Sequence, residues 1–314
     1  MLSRFLLLPV LILVGLLAVS WVPAAGAQTV LDFTDKLDFD RPESWAMKYY
    51  ASLTLLTGFG APRVLEPGRI DLDLEGGWVP SLSEAERTVG FNGTKTEDLN
   101  RTSVFVRPAV VIGLPRKLSL TLTWVPPVKA FGVEPNLLAV AIGRPVHQAR
   151  TWRLGLRGYA QYGTLQADFT CPGDVVAAGD NPELNPFNCV EPSNDEHQIS
   201  ALGLEVSWAK EPRGSGRWEP HVGLSANYLD LEFQVDARHS GIVDRTLLVT
   251  DGVTLALTAG VTYHAGERWR MVGEAFYSPL EVTRPPSTST ANEGLFNLRA
   301  LVSYTVHRGS RGTE

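Results

Sequence analysis

The stretch Val253-Thr254-Leu255-Ala256-Leu257-Thr258-Ala259-Gly260-Val261-Thr262-Tyr263 decides the fold. Every second residue from Val253 to Tyr263 is apolar, and the residues between them are Thr, Ala or Gly. Side chains of a β-strand point alternately to its two faces, so this stretch predicts a strand with one oily face and one wet face.

Nine other stretches alternate in the same way, and most of their apolar rows end in Trp or Tyr. They are 69–78, 104–112, 118–124, 137–143, 152–162, 202–208, 218–228, 269–277 and 296–306. Pro108 weakens the second stretch because proline cannot donate to a sheet. The fourth is almost continuously apolar, which leaves its phase open. Ten amphipathic strands predict an all-β fold, an antiparallel sheet closed into a transmembrane barrel.

The apolar row changes face in two places. Leu165, Ala167 and Phe169 are out of phase with Leu154 and Leu156, and Leu229 to Val235 are out of phase with Leu224 and Ala226. We expect a β-bulge at each switch, because one extra residue moves every later side chain to the other face. We also expect both hairpins to extend above the membrane.

Loop lengths orient the barrel. Short connections at 115–117, 147–150, 211–217 and 265–267 alternate with longer ones at 79–102, 127–136, 171–196, 237–246 and 283–292. Short turns face the periplasm in such barrels, and long loops face outward. This orientation sorts the aromatic residues into two girdles. The periplasmic girdle is Trp152, Trp208, Trp218, Tyr263, Trp269 and Tyr304, and the outer one is Trp78, Trp124, Tyr162, Tyr228, Tyr277 and Phe296. A soluble β-sandwich, the alternative, has no reason to place aromatics at both ends of its apolar rows.

The N-terminus predicts export. Arg4 precedes an uncharged apolar run from Phe5 to Val19, and Ala25-Gly26-Ala27 is a small-x-small cleavage site. We therefore expect a signal peptide at 1–27, cleaved after Ala27, and residence in the outer membrane of the cell. The run is shorter than a spanning helix, which disfavours an uncleaved anchor.

Residues 28–68 are open to three interpretations. The alternation from Tyr49 to Leu55 suggests an additional strand, whereas Pro42-Glu43-Ser44 followed by Trp45 suits the start of a short helix. A helix or hatch inside the lumen is the third. Because strand number is even in such barrels, the count is ten or alternatively twelve. We assign 69–307 to the barrel and 308–314 to a polar C-terminal tail.

Charged residues of both signs recur on the faces opposite the apolar rows. The predicted lumen-lining residues are Asp71, Asp73, Glu75, Arg107, Arg153, Arg157, Glu205, Glu219, His221, Arg270, Glu274 and Arg299. A narrow barrel brings them close together, so they form either a paired polar core or the lining of a channel or binding cavity.

Cys171 and Cys189 lie in one polar loop between two strands. An exported chain meets an oxidising compartment, so we expect a disulfide between them. Their spacing fits neither a CxxC redox motif nor a zinc pattern. The sequence predicts no metal site and no cofactor.

Composition limits the partners. The net charge of the chain is −6, and no basic patch stands out, which argues against nucleic acid. Membrane lipid and a small solute remain as expected partners. The oligomeric state is left open.

These features resemble a Gram-negative outer-membrane β-barrel protein over most of the mature chain. The segment before the barrel is similar to the hatch of long-chain fatty-acid transporters, which have fourteen strands in a longer chain. Asp195-Glu196-His197 and Asp71-Leu72-Asp73 have the forms of the two catalytic pairs in omptin proteases. The orientation derived above, however, puts the two pairs at opposite ends of the barrel. His221 and Ser225 share one face, as the catalytic pair of an outer-membrane phospholipase would need to.

The sequence therefore favours a small channel or transporter for small or nonpolar solutes, with no enzymatic activity. A non-transporting structural or surface-binding barrel that acts through its outer loops is the alternative. An outer-membrane hydrolase is a remote third.

Overall fold

A computed structural model describes residues 29–212 and 217–309. The predicted signal peptide and its cleavage site lie outside these ranges, as do residues 310–314 of the predicted tail. Within them, ten antiparallel strands close into one barrel, in which β7 pairs with both β6 and β8. The strands are β1 Ile70–Trp78, β2 Val104–Leu114, β3 Leu118–Val125, β4 Glu134–Gln148, β5 Trp152–Ala167, β6 Asp195–Lys210, β7 Trp218–Gln234, β8 Leu247–Ala265, β9 Trp269–Ser278 and β10 Leu295–His307.

The predicted antiparallel transmembrane barrel of ten strands is confirmed. Each predicted strand is present, and several extend further toward the long loops than the alternation indicated. The residues Leu74, Leu122, Leu204, Leu224 and Leu257 face outward and are between 42% and 59% exposed, which is the lipid-facing belt. Pro108 is accommodated on the outer face of β2, opposite Leu74.

Connections alternate in length around the barrel. Short turns join β2 to β3 (the turn Pro115–Lys117), β4 to β5, β6 to β7 and β8 to β9. Longer loops join the other neighbouring pairs. They contain the helical turns α2 Glu84–Arg87 and α3 Gly173–Ala177, and a turn at Gly90–Gly93 in which Phe91 and Asn92 have positive φ. The loops also contain short strands at Thr88–Val89, Lys95–Thr96, Ala237–His239, Ile242–Asp244, Glu281–Val282 and Ala291–Asn292. We refer to the two ends as the short-turn end and the long-loop end.

The segment before β1 enters the barrel. Strands Thr29–Leu31 and Thr34–Lys36 pair in parallel with Ile242–Asp244 and with the start of β8. Helix α1 spans Pro42–Thr54, where Pro42 presets the backbone of the first turn and Glu43 complements the helix dipole. The alternation from Tyr49 to Leu55 is thus not a strand. None of the helices in the described ranges is long and apolar enough to cross a membrane.

Helix α1 is buried on all sides, so its polar side chains need partners inside the protein. Four of them donate to carbonyl oxygens of the surrounding loops. Trp45 Nε1 bonds Glu293 O at 2.9 Å, Lys48 Nζ bonds Glu281 O at 2.8 Å, Tyr49 Oη bonds Pro80 O at 2.7 Å and Tyr50 Oη bonds Leu99 O at 2.6 Å. The helix therefore ties the long loops to the barrel interior.

The inner face of the wall changes character along the barrel axis. Near the short turns it carries charged residues, whereas near the long loops Leu165, Ile199, Leu229 and Leu231 point inward and are buried in one apolar cluster with α1. The expected bulges are absent from β5 and β7, whose pairings with β6 run without a shift. The prediction was wrong because the apolar row changes face when the interior changes from polar network to packed helix. The shifts that do occur lie at Pro145/His147 and Thr305/His307, at the short-turn end.

Cys171 and Cys189 form the predicted disulfide, with Cα atoms 5.7 Å apart. Both cysteines are buried with Val235 and Ala237 in a small cluster of their own. The bond therefore holds the loop after β5 against the residues that follow β7.

Candidate functional site

The twelve predicted lumen-lining residues all lie on the inner face of the barrel. Ten are buried, and Arg157 and Arg270 are half-buried. Alternation alone placed them there, because the lipid-facing row fixes the opposite row. Their partners depend on strand register and could not be read from the sequence.

The structure joins these residues into ion pairs. Glu75 pairs with Arg107 at 2.6 Å, Glu205 with Arg157 at 3.2 Å, Asp73 with Arg270 at 3.3 Å and Glu274 with Arg299 at 2.5 Å. Arg153 contacts both Glu219 and Glu211, and Asp71 pairs with Arg69 and Arg63. His221 Nε2 lies 3.2 Å from Glu274 Oε2. Each of the six lumen-lining carboxylates thus has a cationic partner.

The same arginines also bind a segment of the chain itself, which runs through the lumen. We call residues 55–63, which follow directly from α1, the lumen segment. Five arginines donate to carbonyl oxygens of Thr54 and the lumen segment. Arg107 bonds Thr54 O and Leu55 O, Arg299 bonds Thr57 O, Arg157 bonds Gly58 O and Gly60 O, Arg270 bonds Phe59 O, and Arg153 bonds Ala61 O.

Carboxylates accept hydrogen bonds from three further polar groups of the lumen segment. Glu205 Oε2 accepts from Thr57 Oγ1 at 2.7 Å and from the Gly58 amide at 2.8 Å. Glu274 Oε2 accepts from the Phe59 amide at 2.7 Å. Charge-assisted bonds of this kind are among the stronger ones in proteins.

Glycine permits the close approach of the lumen segment to the wall. Gly58 has φ +87°, and a Cβ atom there would lie 2.2 Å from Glu274 Oε1. Gly60 has φ +90°, beside the His221 ring. Beyond this Gly-Phe-Gly sequence nothing in the chain signals the arrangement, because backbone carbonyls rather than side chains accept the arginines.

Little space remains in the lumen. A cavity of about 80 Å³ lies beside the lumen segment, lined in part by Thr57, Arg157 and Arg270. The lumen segment and its bonds to the wall therefore occupy the lumen.

A larger cavity of about 370 Å³ lies at the long-loop end, against α1. Ala46, Met47 and Tyr50 of α1 line it. The other apolar and aromatic lining residues come from the strands and loops around the helix, and they include Phe33, Leu99, Phe169, Phe233 and Leu248. Apolar walls around a volume of this size are typical of sites for small molecules. We call this space the outer cavity.

The polar residues of the outer cavity largely satisfy one another. Arg41 pairs with Glu43 at 3.1 Å and with Asp35 at 3.6 Å, and Glu43 also accepts from the Asn92 amide. Because these polar groups bind one another, the apolar surface is the part of the cavity that is free to contact a ligand.

Glu97, another lining residue, pairs with Lys95, which is not part of the lining. Burial raises the pKa of its carboxyl to about 7, although the ammonium of Lys95 beside it acts in the opposite direction. Lys95 Nζ also donates to Thr170 O at 2.6 Å, which ties this loop to the residue after Phe169. Glu97 can therefore change its charge near neutral pH.

The residues considered for hydrolysis are not assembled for it. His197 is buried, with Nε2 3.1 Å from Met47 O and Nδ1 3.0 Å from Glu232 O. Asp195 accepts bonds from the Thr170 amide and Ser193 Oγ at the long-loop end. Asp71 and Asp73 lie in β1 at the other end of the barrel. His221 is bonded to Glu274, and Ser225 lies further along the same face.

Sequence reasoning found the charged residues but missed the outer cavity. The floor of the cavity is α1, for which the sequence allowed a strand as well as a helix. Its walls include apolar residues that follow the points where the apolar row of a strand changes face. That change is the signal from which an apolar interior at the long-loop end could have been inferred.

No family model and no curated protein sequence matches this chain. Among solved structures, the outer membrane protease OmpT from Escherichia coli is 8% identical with a TM-score of 0.38, over 76% of this chain and 94% of its own. Neisserial surface protein A is 10% identical with a TM-score of 0.30, over 75% and 95%. The attachment invasion locus protein Ail of Yersinia pestis is 8% identical with a TM-score of 0.28, over 76% and 99%. At these TM-scores no role is transferred, and the closed sheet itself establishes the fold.

Proposed function

We propose that this outer-membrane barrel takes up a small nonpolar solute, which binds first in the outer cavity. The observation that carries the proposal is the apolar cavity of about 370 Å³ whose floor is α1. A nonpolar solute gains free energy in proportion to the apolar area it buries there. A strongly polar solute would find few partners.

The orientation follows from the loops. With short turns in the periplasm, the outer cavity opens on the cell exterior, where a solute arrives. The lumen segment then stands between the cavity and the periplasm. Passage requires the segment to leave the lumen, since the remaining space of about 80 Å³ is too small for a solute that fills the outer cavity.

Helix α1 is the physical connection between binding and passage. It lines the outer cavity with Ala46, Met47 and Tyr50, and it continues without a break into the lumen segment. A solute that displaces α1 therefore pulls on the residues that close the lumen. The bonds to the lumen segment are polar, so water entering the lumen can replace them.

Binding is tested with the purified protein in detergent and the fluorescent probe N-phenyl-1-naphthylamine. Ala46→Trp fills the outer cavity and should weaken probe binding at least about tenfold, because the apolar contact surface is lost. Ala226→Trp, on the lipid-facing side of β7, is the matched control and should bind as the wild type does. Equal binding by all three proteins would contradict the proposed site.

Passage is tested by locking the lumen segment to the wall. A Cβ atom at Gly143 would lie 3.2 Å from Cβ of Pro62, so Pro62→Cys with Gly143→Cys can form a disulfide after modest adjustment. The locked protein should keep probe binding but lose uptake of a nonpolar solute by cells, whereas each single variant should transport. Undiminished uptake by the locked protein would refute passage through the lumen.

A non-transporting surface-binding barrel is the second candidate. The observation that favours it is the set of arginine bonds to the lumen segment, which keeps the barrel closed. A wild type that binds the probe in the outer cavity but never supports uptake would favour this function over the first.

A further inference from the structure

Two short turns at the short-turn end carry the same arrangement of three residues. Trp218 begins β7 and lies against Tyr263 of β8, with ring centroids 4.6 Å apart. Trp269 begins β9 and lies against Tyr304 of β10, at 4.7 Å. Each Trp follows an arginine whose Nη1 donates to the Tyr hydroxyl.

These bonds are Arg217 to Tyr263 Oη at 3.4 Å and Arg268 to Tyr304 Oη at 3.1 Å. We call the two sets the Arg-Trp-Tyr triads. The hydroxyl orients each guanidinium at the edge of the lipid-facing belt and uses only one of its five N–H donors.

Among the described residues neither Arg217 nor Arg268 takes part in an ion pair. Glu267 beside Arg268 pairs instead with Arg308 at 2.6 Å. Both arginines are exposed, and Trp218 and Trp269 are 61% and 46% exposed on the lipid-facing side.

We propose that each Arg-Trp-Tyr triad binds the phosphate of an anionic phospholipid in the membrane leaflet next to the short turns. A planar guanidinium matches the geometry of two phosphate oxygens. Trp and Tyr rings prefer the depth at which headgroup meets acyl chain, so they pack against the glycerol region while the arginine binds the phosphate. The two triads lie on neighbouring hairpins, so they bind two lipids side by side. This inference does not depend on the identity of the transported solute.

The experiment measures lipid retention by native mass spectrometry. Protein in detergent receives equal amounts of dioleoyl phosphatidylglycerol or dioleoyl phosphatidylcholine. The wild type should prefer phosphatidylglycerol. Arg217→Gln with Arg268→Gln should lower the apparent affinity for phosphatidylglycerol about tenfold and abolish the preference, because the charge-assisted bonds are lost. Tyr263→Phe with Tyr304→Phe should lower it less, since only the positioning hydroxyls disappear.

The matched control is Arg116→Gln with Lys117→Gln. These residues occupy the turn between β2 and β3, between Leu114 and Leu118, and the pair removes the same charge without touching a triad. This control should keep the preference. An equal loss in the control would show a general effect of charge, and no loss in the triad variant would show that the triads are not the site; either result overturns the proposal.

A further part of the experiment adds inorganic phosphate to the protein with bound phosphatidylglycerol. It should not displace phosphatidylglycerol, because the ring contacts need a lipid. Displacement at equal concentration would reduce the triads to simple anion sites. Heat-modifiable gel migration, equal in all variants, establishes that the barrels are folded.

Discussion

At the scale of the residue, the protein depends on charged groups that are buried with partners. Arg107 is 2% exposed, contacts Glu75 and also donates to carbonyls at the end of α1. Removing one member of such a pair leaves the other charged and unsolvated. The contribution of the ion pair to stability is therefore measured by substituting each member alone and both members together.

Arg107→Met should destabilise the protein by about 3–5 kcal/mol, because Glu75 and the carbonyls of Thr54 and Leu55 lose their donor. Adding Glu75→Gln should recover part of this loss. Unfolding by guanidinium chloride in detergent, monitored by tryptophan fluorescence, measures the stability of both variants. A double variant no more stable than Arg107→Met would show that Glu75 is not the partner that matters.

Glu97 should give the loop around the outer cavity a pH dependence. Its folded pKa, raised by burial to about 7, lies above the unfolded value of 4.5. The folded state therefore holds the proton more tightly, and this stabilisation is complete below pH 4.5 and is lost as pH rises through 7. Proteolysis of the loop at Lys95 and Arg101 should accelerate over that interval, after correction for the protease's own pH profile.

Glu97→Gln is the control for this effect. It keeps the shape of the side chain but cannot ionise, so its proteolysis rate should be flat over the same interval. A wild-type profile identical to that of Glu97→Gln would contradict the assignment.

At the scale of the element, one strand carries two kinds of face. Leu224 of β7 is half exposed toward lipid, whereas Leu231 of the same strand is fully buried on the inner face. The alternation predicted both parts of this strand, because the period of two is set by the backbone. It could not say whether the change of phase was a bulge or a change of interior, since both leave the same pattern in sequence.

Leu231→Ala separates these interpretations. If Leu231 packs in the apolar cluster with α1, the substitution should destabilise the protein by about 2–5 kcal/mol through the cavity it leaves. Asp230→Ala, the neighbouring exposed position, should stay within about 0.5 kcal/mol of the wild type. A nearly neutral Leu231→Ala would mean that this part of the wall encloses water.

At the scale of the whole molecule, the closed lumen was the part that sequence could not reveal. The eleven inward charges and His221 were predicted as a set, and either a paired core or a channel lining was consistent with them. The structure shows that arginines such as Arg157 bind carboxylates and the backbone of the lumen segment at once. Backbone carbonyls are present in every sequence, so no residue pattern marks where they will be used.

Gly58→Val should open the barrel. Gly58 has φ +87°, and its Cβ would collide with Glu274 Oε1 and Arg299 Nη2, at 2.2 and 2.5 Å, which both hold the lumen segment in place. We expect the wild type to be silent in planar bilayers and Gly58→Val to conduct ions, because displaced carbonyls leave a charged, water-filled lumen. Gly241→Val is the matched control: its φ is +75°, so the backbone strain of about 1–3 kcal/mol is shared, but its Cβ would meet no atom within 4 Å. The control should therefore remain silent. Conduction by the wild type, or by both variants equally, would refute the role of the lumen segment as the closure.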